Sequence, residues 1–157
     1  MITAVDTNML LDVLIPDARF ADTSQRLLDE AQREGGLVIG EVVYAALGAH
    51  FGGRRELDAF LADTRIRVQS AGPEALMLAA EACRACARRR DRAIQCPRCG
   101  ERQVIGCPAC SEQLAPRQHI LSDFLVGGHA LAHADCLLTR DRGFHAAFFP
   151  SLHLTAG

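Results

Sequence analysis

The chain has 157 residues, 49% of them hydrophobic and 23% charged, and a formal net charge of −2. That length favours one domain over two and supplies a core that needs no metal to fold. Aromatic residues make up only 5% and tryptophan is absent, which argues against a stacking platform for single-stranded nucleic acid. All 17 basic residues are arginine, a side chain that grips phosphate bidentately, although a genome-wide codon bias explains the missing lysine as well. Arg88, Arg89, Arg90, Arg92, Arg98 and Arg102 cluster into a local basic patch on an acidic total.

The apolar run 2–5 predicts a buried strand ending at Asp6, followed by a short helix over 8–15 that Pro16 limits. Thr23 or Ser24 is expected to cap a helix running to residue 34, stopped by Gly35-Gly36. A second strand is expected at 37–39, a helix over 41–51, another over 54–63 and a strand at 66–68. Pro73 opens a long helix to about residue 90. Residues 93–118 then carry four cysteines, three prolines and two glycines without helical period, which marks an inserted loop module. A helix over 123–133, a strand at 136–139, a helical turn over 140–149 and a last edge strand at 152–154 complete the pattern. Short apolar strands alternating with helices predict an α/β fold with a mostly parallel central sheet flanked by helices. The expected organisation is one domain over 1–157, interrupted by the module at 93–118.

Ligands of such sheets bind at the carboxyl ends of the strands. Asp6 ends the first strand, Glu41 begins the helix after the second, and Asp141 lies just past the strand "CLLT", whose feeding helix Asp123 opens. Each acid alone is commonly a helix or turn cap. Four of them at one edge repel one another, and a hard cation such as Mg²⁺ or Mn²⁺ relieves that repulsion. Carboxylate-held divalent ions suit phosphodiester hydrolysis. Asp12 and Asp135 read instead as caps or surface acids, and His129 as a packing histidine.

"VDTNMLLDVL", "GEVVYAAL" and "ILSDFLVGGHALAHADCLLTRDRGF" together resemble the PIN-domain ribonucleases, and within them the VapC-type toxins of bacterial toxin–antitoxin pairs. The resemblance covers nearly the whole chain except 93–118 and implies a PIN-like fold. It maps the family's acidic quartet onto Asp6, Glu41, Asp123 and Asp141, and its site-lining polar residues onto Asn8 and Thr139. It further implies Mg²⁺ or Mn²⁺, an RNA substrate, a homodimer and a VapB-type antitoxin that blocks the site.

Three Cys-x-x-Cys pairs occur, at Cys83/Cys86, Cys96/Cys99 and Cys107/Cys110, with Cys136 alone in an apolar strand. "CPRCG" and "CPAC", with seven residues between Cys99 and Cys107, have the form of a small zinc ribbon. Four thiolates leave no position for water, so a Zn²⁺ on Cys96, Cys99, Cys107 and Cys110 is structural and distinct from the oxygen-held ion. Cys83 and Cys86 share a helix face and read as core packing, the rival reading being that they pair with one of the two knuckles; Cys136 reads as a buried strand residue. Arg98 and Arg102 are candidate RNA contacts of the module. No apolar run approaches the ~20 residues of a membrane span, and the N-terminus carries three aspartates and no basic stretch. A cytoplasmic location, where thiols stay reduced, is therefore expected. The leading expectation is a metal-dependent endoribonuclease toxin. An RNA-processing nuclease without an antitoxin, or a non-catalytic zinc-ribbon module binding RNA or protein, is the alternative.

Overall fold

The computed structural model describes residues 1–88, 93–96, 98–111, 113–114 and 121–155. At its centre lies a parallel sheet built from β1 (Ile2–Val5), β2 (Gly36–Ile39), β3 (Ile66–Val68), β8 (Cys136–Leu138) and β9 (Leu154–Thr155), in the order β3-β2-β1-β8-β9. Strands covered by helices on both faces need apolar side chains on both. Accordingly Ala4, Val5, Leu37, Val38, Ile39, Leu137 and Leu138 are all buried. The helices are α1 (Thr7–Leu14), α2 (Ala21–Glu34), α3 (Glu41–Gly48), α4 (Arg54–Asp63), α5 (Gly72–Arg88), α6 (Leu121–His133) and α7 (Arg142–Phe148).

Register fixes which residues meet at the carboxyl edge. Val5 stands opposite Leu138 and Ala4 opposite Val38. The ladder then continues one step past the strands, with Asp6 N–H donating to Leu138 O at 3.0 Å and Gln69 N–H to Ile39 O at 2.9 Å. The next residues of three neighbouring strands, Asp6, Gly40-Glu41 and Thr139, therefore emerge side by side.

Several expected boundaries shift for local reasons. The α2 helix begins at Ala21, so Ser24 does not cap it; its hydroxyl is buried inside the first turns and bonds Asp12. The α3 helix ends at Gly48, not at 51, where His50 N–H turns back onto Leu47 O at 2.8 Å. Asp141 is the N-cap of α7, its carboxylate accepting from Phe144 N–H, which delays that helix to Arg142. The module is not an unpaired loop. It holds two antiparallel hairpins, β4 (Ile94–Gln95) with β5 (Arg102–Gln103), and β6 (Ile105–Gly106) with β7 (Gln113–Leu114). Arg89, Arg90 and Arg92 of the expected basic cluster lie outside the described residues, as do residues 97, 112 and 115–118 of the module.

The α5 and α6 helices approach closely because their seam is made of small residues. A Cβ at Gly128 would collide with the backbone carbonyl of Ala75 and crowd Ala79 N, and a Cβ at Gly127 would enter the Phe149 ring. Beneath the seam, Phe124 packs edge-on against Phe144 with ring centroids 5.0 Å apart. Backbone atoms cannot yield as a side chain does. Gly128→Val is therefore expected to lower the unfolding free energy by about 3 kcal/mol, at the upper end of overpacking costs. The ~0.5 kcal/mol regained in helix propensity does not offset it. A shift in the urea midpoint at unchanged slope measures this; an unchanged midpoint would show that the seam is slack.

Candidate active site

Asp6 is the centre of a bonded cluster at the carboxyl edge. Its Oδ2 accepts from the Thr139 hydroxyl at 2.6 Å and from the Asn8 amide at 2.7 Å. Asn8 Nδ2 also reaches Thr139 Oγ1 at 3.3 Å, and Asn8 Oδ1 accepts from Arg140 N–H at 3.2 Å. Thr139 Oγ1 in turn accepts from Asp141 N–H at 3.0 Å. These bonds orient Asp6 and Asp141 through neutral polar groups while leaving oxygen lone pairs for a hard cation, since a carboxylate offers about four acceptor positions. Asp123 sits half-buried in the first turn of α6, where the helix dipole favours a carboxylate.

Glu41 is held differently. It opens α3 and is exposed, with Oε1 accepting from the Ser70 hydroxyl at 2.6 Å and both oxygens accepting from Ala71 N–H at 3.1 and 3.2 Å. The Ser70 hydroxyl is the main reason its carboxyl titrates below the ordinary carboxylate range. The loop that carries these donors is itself clamped by α6. His129 Nε2 donates to Gln69 O at 2.9 Å and His133 Nε2 to Ala71 O at 2.7 Å. Burial pushes the His129 pKa down, against the Gln69 carbonyl, which pulls it up. His129 thus packs, as its sequence position suggests, and also steadies the loop behind Glu41. A cavity of about 380 Å³ opens beside it, lined by Glu41, Ser70, Pro73, Leu76, Leu125 and His129.

Asp6, Glu41 and Asp141 thus stand at the carboxyl edge, each bonded to its own partners, while Asp123 lies in the first turn of α6. Among the described residues no three carboxylates, histidines or cysteines come together closely enough to hold one ion. The donor set is nonetheless all oxygen and anionic, which is the chemistry that Mg²⁺ or Mn²⁺ requires.

Two residues gain roles that spacing did not reveal. Asp12 is neither a cap nor a surface acid: only 4% exposed, it pairs with Arg140 at 2.9 Å. His145 is fully buried with Nε2 at 3.9 Å from Asp6 Oδ2, and its Nδ1 has no hydrogen-bond partner among the described residues. A lone histidine in a short helical turn carries no periodic signal that would have marked it. Asp135 Oδ2 accepts from Ile2 N–H at 2.6 Å, fixing the start of β1.

The module's cysteines form two separate turns of one design. Gly100 N–H donates to Cys96 O at 2.9 Å, and Ser111 N–H to Cys107 O at 2.8 Å. The residue after each second cysteine is left-handed, Gly100 at φ 76° and Ser111 at φ 60°. The Cys96 thiol is held below the usual thiol range chiefly by the backbone N–H of Cys99, then that of Arg98; Cys107 likewise by the N–H groups of Ala109 and Cys110. Arg98 and Arg102 are exposed on the first hairpin. Cys83 and Cys86 pack half-buried against the core, and buried Cys136 lies 3.3 Å from the Thr3 hydroxyl.

Ser70→Ala is expected to return the Glu41 pKa toward the ordinary carboxylate value, as followed by carboxyl NMR. A depressed folded-state pKa adds stability that is present above the unfolded value and lost as pH falls through the folded one, so that acid loss becomes smaller in the variant. An unchanged Glu41 titration would show that Ser70 does not hold it.

No family model matches the chain, and no curated protein matches it either. Among solved structures, a chain of VapBC2 from Rickettsia felis, crystallised with a DNA fragment from their promoter, superposes with a TM-score of 0.60 at 17% identity. The match covers 99% of this chain and 98% of that one. At that identity the likeness shows architecture, and it agrees with the five-stranded parallel sheet and its flanking helices: the chain has a PIN-like α/β fold.

Proposed function

We propose that this protein is a metal-dependent endoribonuclease of the VapC kind, a toxin neutralised by a VapB-type antitoxin. The observation that carries the reading is the bonded cluster Asp6–Asn8–Thr139–Asp141 at the carboxyl edge of a PIN-like sheet. Asp6, Asp123 and Asp141 are the groups assigned to hold Mg²⁺ or Mn²⁺, with Glu41 binding a second ion or orienting the attacking water. Bound there, the ion would activate water and neutralise charge on the scissile phosphate. Thr139 and Asn8 donate to one oxygen of Asp6, which fixes the orientation of its carboxylate. Asn8 and Thr139 also join the turn after β8 to α1, so that Asp141 keeps its place relative to Asp6. The VapBC2 likeness supports an antitoxin partner; we further take the protein to be a cytoplasmic homodimer that acts on RNA. Purified protein incubated with total RNA is expected to cut it in Mg²⁺ or Mn²⁺ and not in EDTA. Asp6→Asn and Asp123→Asn should each reduce cutting by at least ~100-fold with the fold retained. Full activity in both variants would overturn the assignment.

We further propose that Cys96, Cys99, Cys107 and Cys110 bind one structural Zn²⁺ in a module spanning 93–118 of a single 157-residue domain. Two hairpins with the same turn, the same left-handed step and the same N–H donation to the first sulfur support this. Only Val104 separates β5 from β6, so a metal can draw the two pairs together across one residue. Arg98 and Arg102, exposed on the module, are assigned to RNA phosphates. Elemental analysis should find about one zinc per chain, the stoichiometry of a four-thiolate site. Cobalt substitution should give the absorption of tetrahedral thiolate ligation, and Cys99→Ser or Cys110→Ser should abolish both. Equal zinc content in the variants would refute the site.

A further inference from the structure

Arg140 lies between Thr139 and Asp141 in the turn that joins β8 to α7. Its side chain, 40% exposed, does not extend freely into solvent. The guanidinium sits 2.9 Å from Asp12 Oδ1 and lies over the Phe20 ring, 4.3 Å from the centroid. Asp12 is 4% exposed, and its other oxygen accepts from the Ser24 hydroxyl at 2.7 Å; Ser24 is itself 1% exposed. Arg140 is thus the cation that compensates a buried carboxylate wedged between α1 and α2. Removing such a cation leaves an uncompensated buried charge, so the side chain is tightly retained.

The same arginine is held a second time, at its backbone, where Asn8 Oδ1 accepts from its N–H at 3.2 Å. Asn8 and Asp12 are four residues apart on α1, a spacing that places both on one face of the helix. One turn of α1 therefore grips the main chain of Arg140 and the next grips its guanidinium. The two points straddle the residue whose neighbours are Thr139, bonded to Asp6, and Asp141.

We infer that Asp12 and Arg140 are positioning residues: their ion pair, with the Asn8 bond, clamps the β8–α7 turn onto α1 and so sets where Thr139 and Asp141 stand relative to Asp6. The effect on catalysis rests on the nuclease reading; the clamp on the turn does not. With Asp12 buried and Arg140 partly exposed, the pair holds the guanidinium at α1 because the buried carboxylate would otherwise be left uncompensated. The rival role for Arg140 is a direct grip on an RNA phosphate, with Asp12 merely beneath it.

The test compares wild type with Asp12→Ala, Arg140→Ala, the double variant, Asp12→Asn and Arg140→Lys. Hydrogen–deuterium exchange over 139–144 is read in each, together with kcat and KM on one defined RNA. Expected is faster exchange at 139–144 in every variant that breaks the pair, with the central strands still protected. Each single alanine variant should lose roughly 10- to 100-fold in kcat at unchanged KM, the scale of a misplaced reacting group. The double variant should lose no more than the worse single. Arg140→Lys should recover part of kcat, since it restores charge without the planar fork. If Arg140→Ala does not fold, Asp12→Asn and Arg140→Lys decide the matter. Unchanged exchange at 139–144 would overturn the clamp. A raised KM in Arg140→Ala with Asp12→Ala silent would overturn it in favour of a phosphate contact. A wild type that cuts no RNA, with exchange accelerated as expected, would remove the nuclease reading and leave the clamp standing.

Discussion

Because β1 is hydrogen-bonded on both sides by parallel partners, β2 and β8, all three strands must release their chains at the same edge. That pairing is the constraint on which the rest depends. It brings together residues 6, 41 and 139, which are far apart in sequence, and it forces polar side chains to occupy a narrow rim over an apolar core. Backbone bonds one step beyond the strands, from Asp6 to Leu138 and from Gln69 to Ile39, keep that rim rigid where it would otherwise fray.

The rim manages its negative charge by distributing hydrogen bonds. Asp6 receives hydroxyl and amide donors, Asp141 receives a helix N–H, and Glu41 receives the Ser70 hydroxyl and the Ala71 N–H. Each donor fixes the position of the oxygen it meets, and at Glu41 the Ser70 hydroxyl also lowers the pKa of the carboxyl. Behind this layer further contacts hold the backbone that carries these groups: the Asn8 side-chain oxygen on the N–H of Arg140, and His129 and His133 on the loop behind Glu41.

Much of this was legible in the sequence, for reasons that can be stated. Strands buried on both faces leave unbroken apolar runs, so "ITAV", "LVI" and "CLL" marked the sheet, and the residues following them marked its carboxyl edge. What stayed hidden were contacts set by tertiary position. Asp12 looked like a surface acid because its partner is 128 positions away (140 − 12) and a helix face does not reveal what packs on it. Ser24 looked like a cap because serine usually is one, yet here its hydroxyl serves a buried carboxylate. His145 carried no spacing signal at all. The module read as a loop because strands of two residues are too short to show alternation.

The sheet's own margins have a consequence for assembly. Its outermost strands are β3, three residues long, and β9, two residues long, and β3 carries an arginine at its middle position. Edges this short, one of them also charged, make poor templates for a neighbouring chain's backbone. Among the described residues, these margins therefore offer a second copy little backbone to pair with. Margins of this kind guard the chain against the runaway edge-to-edge growth that open β-sheets invite.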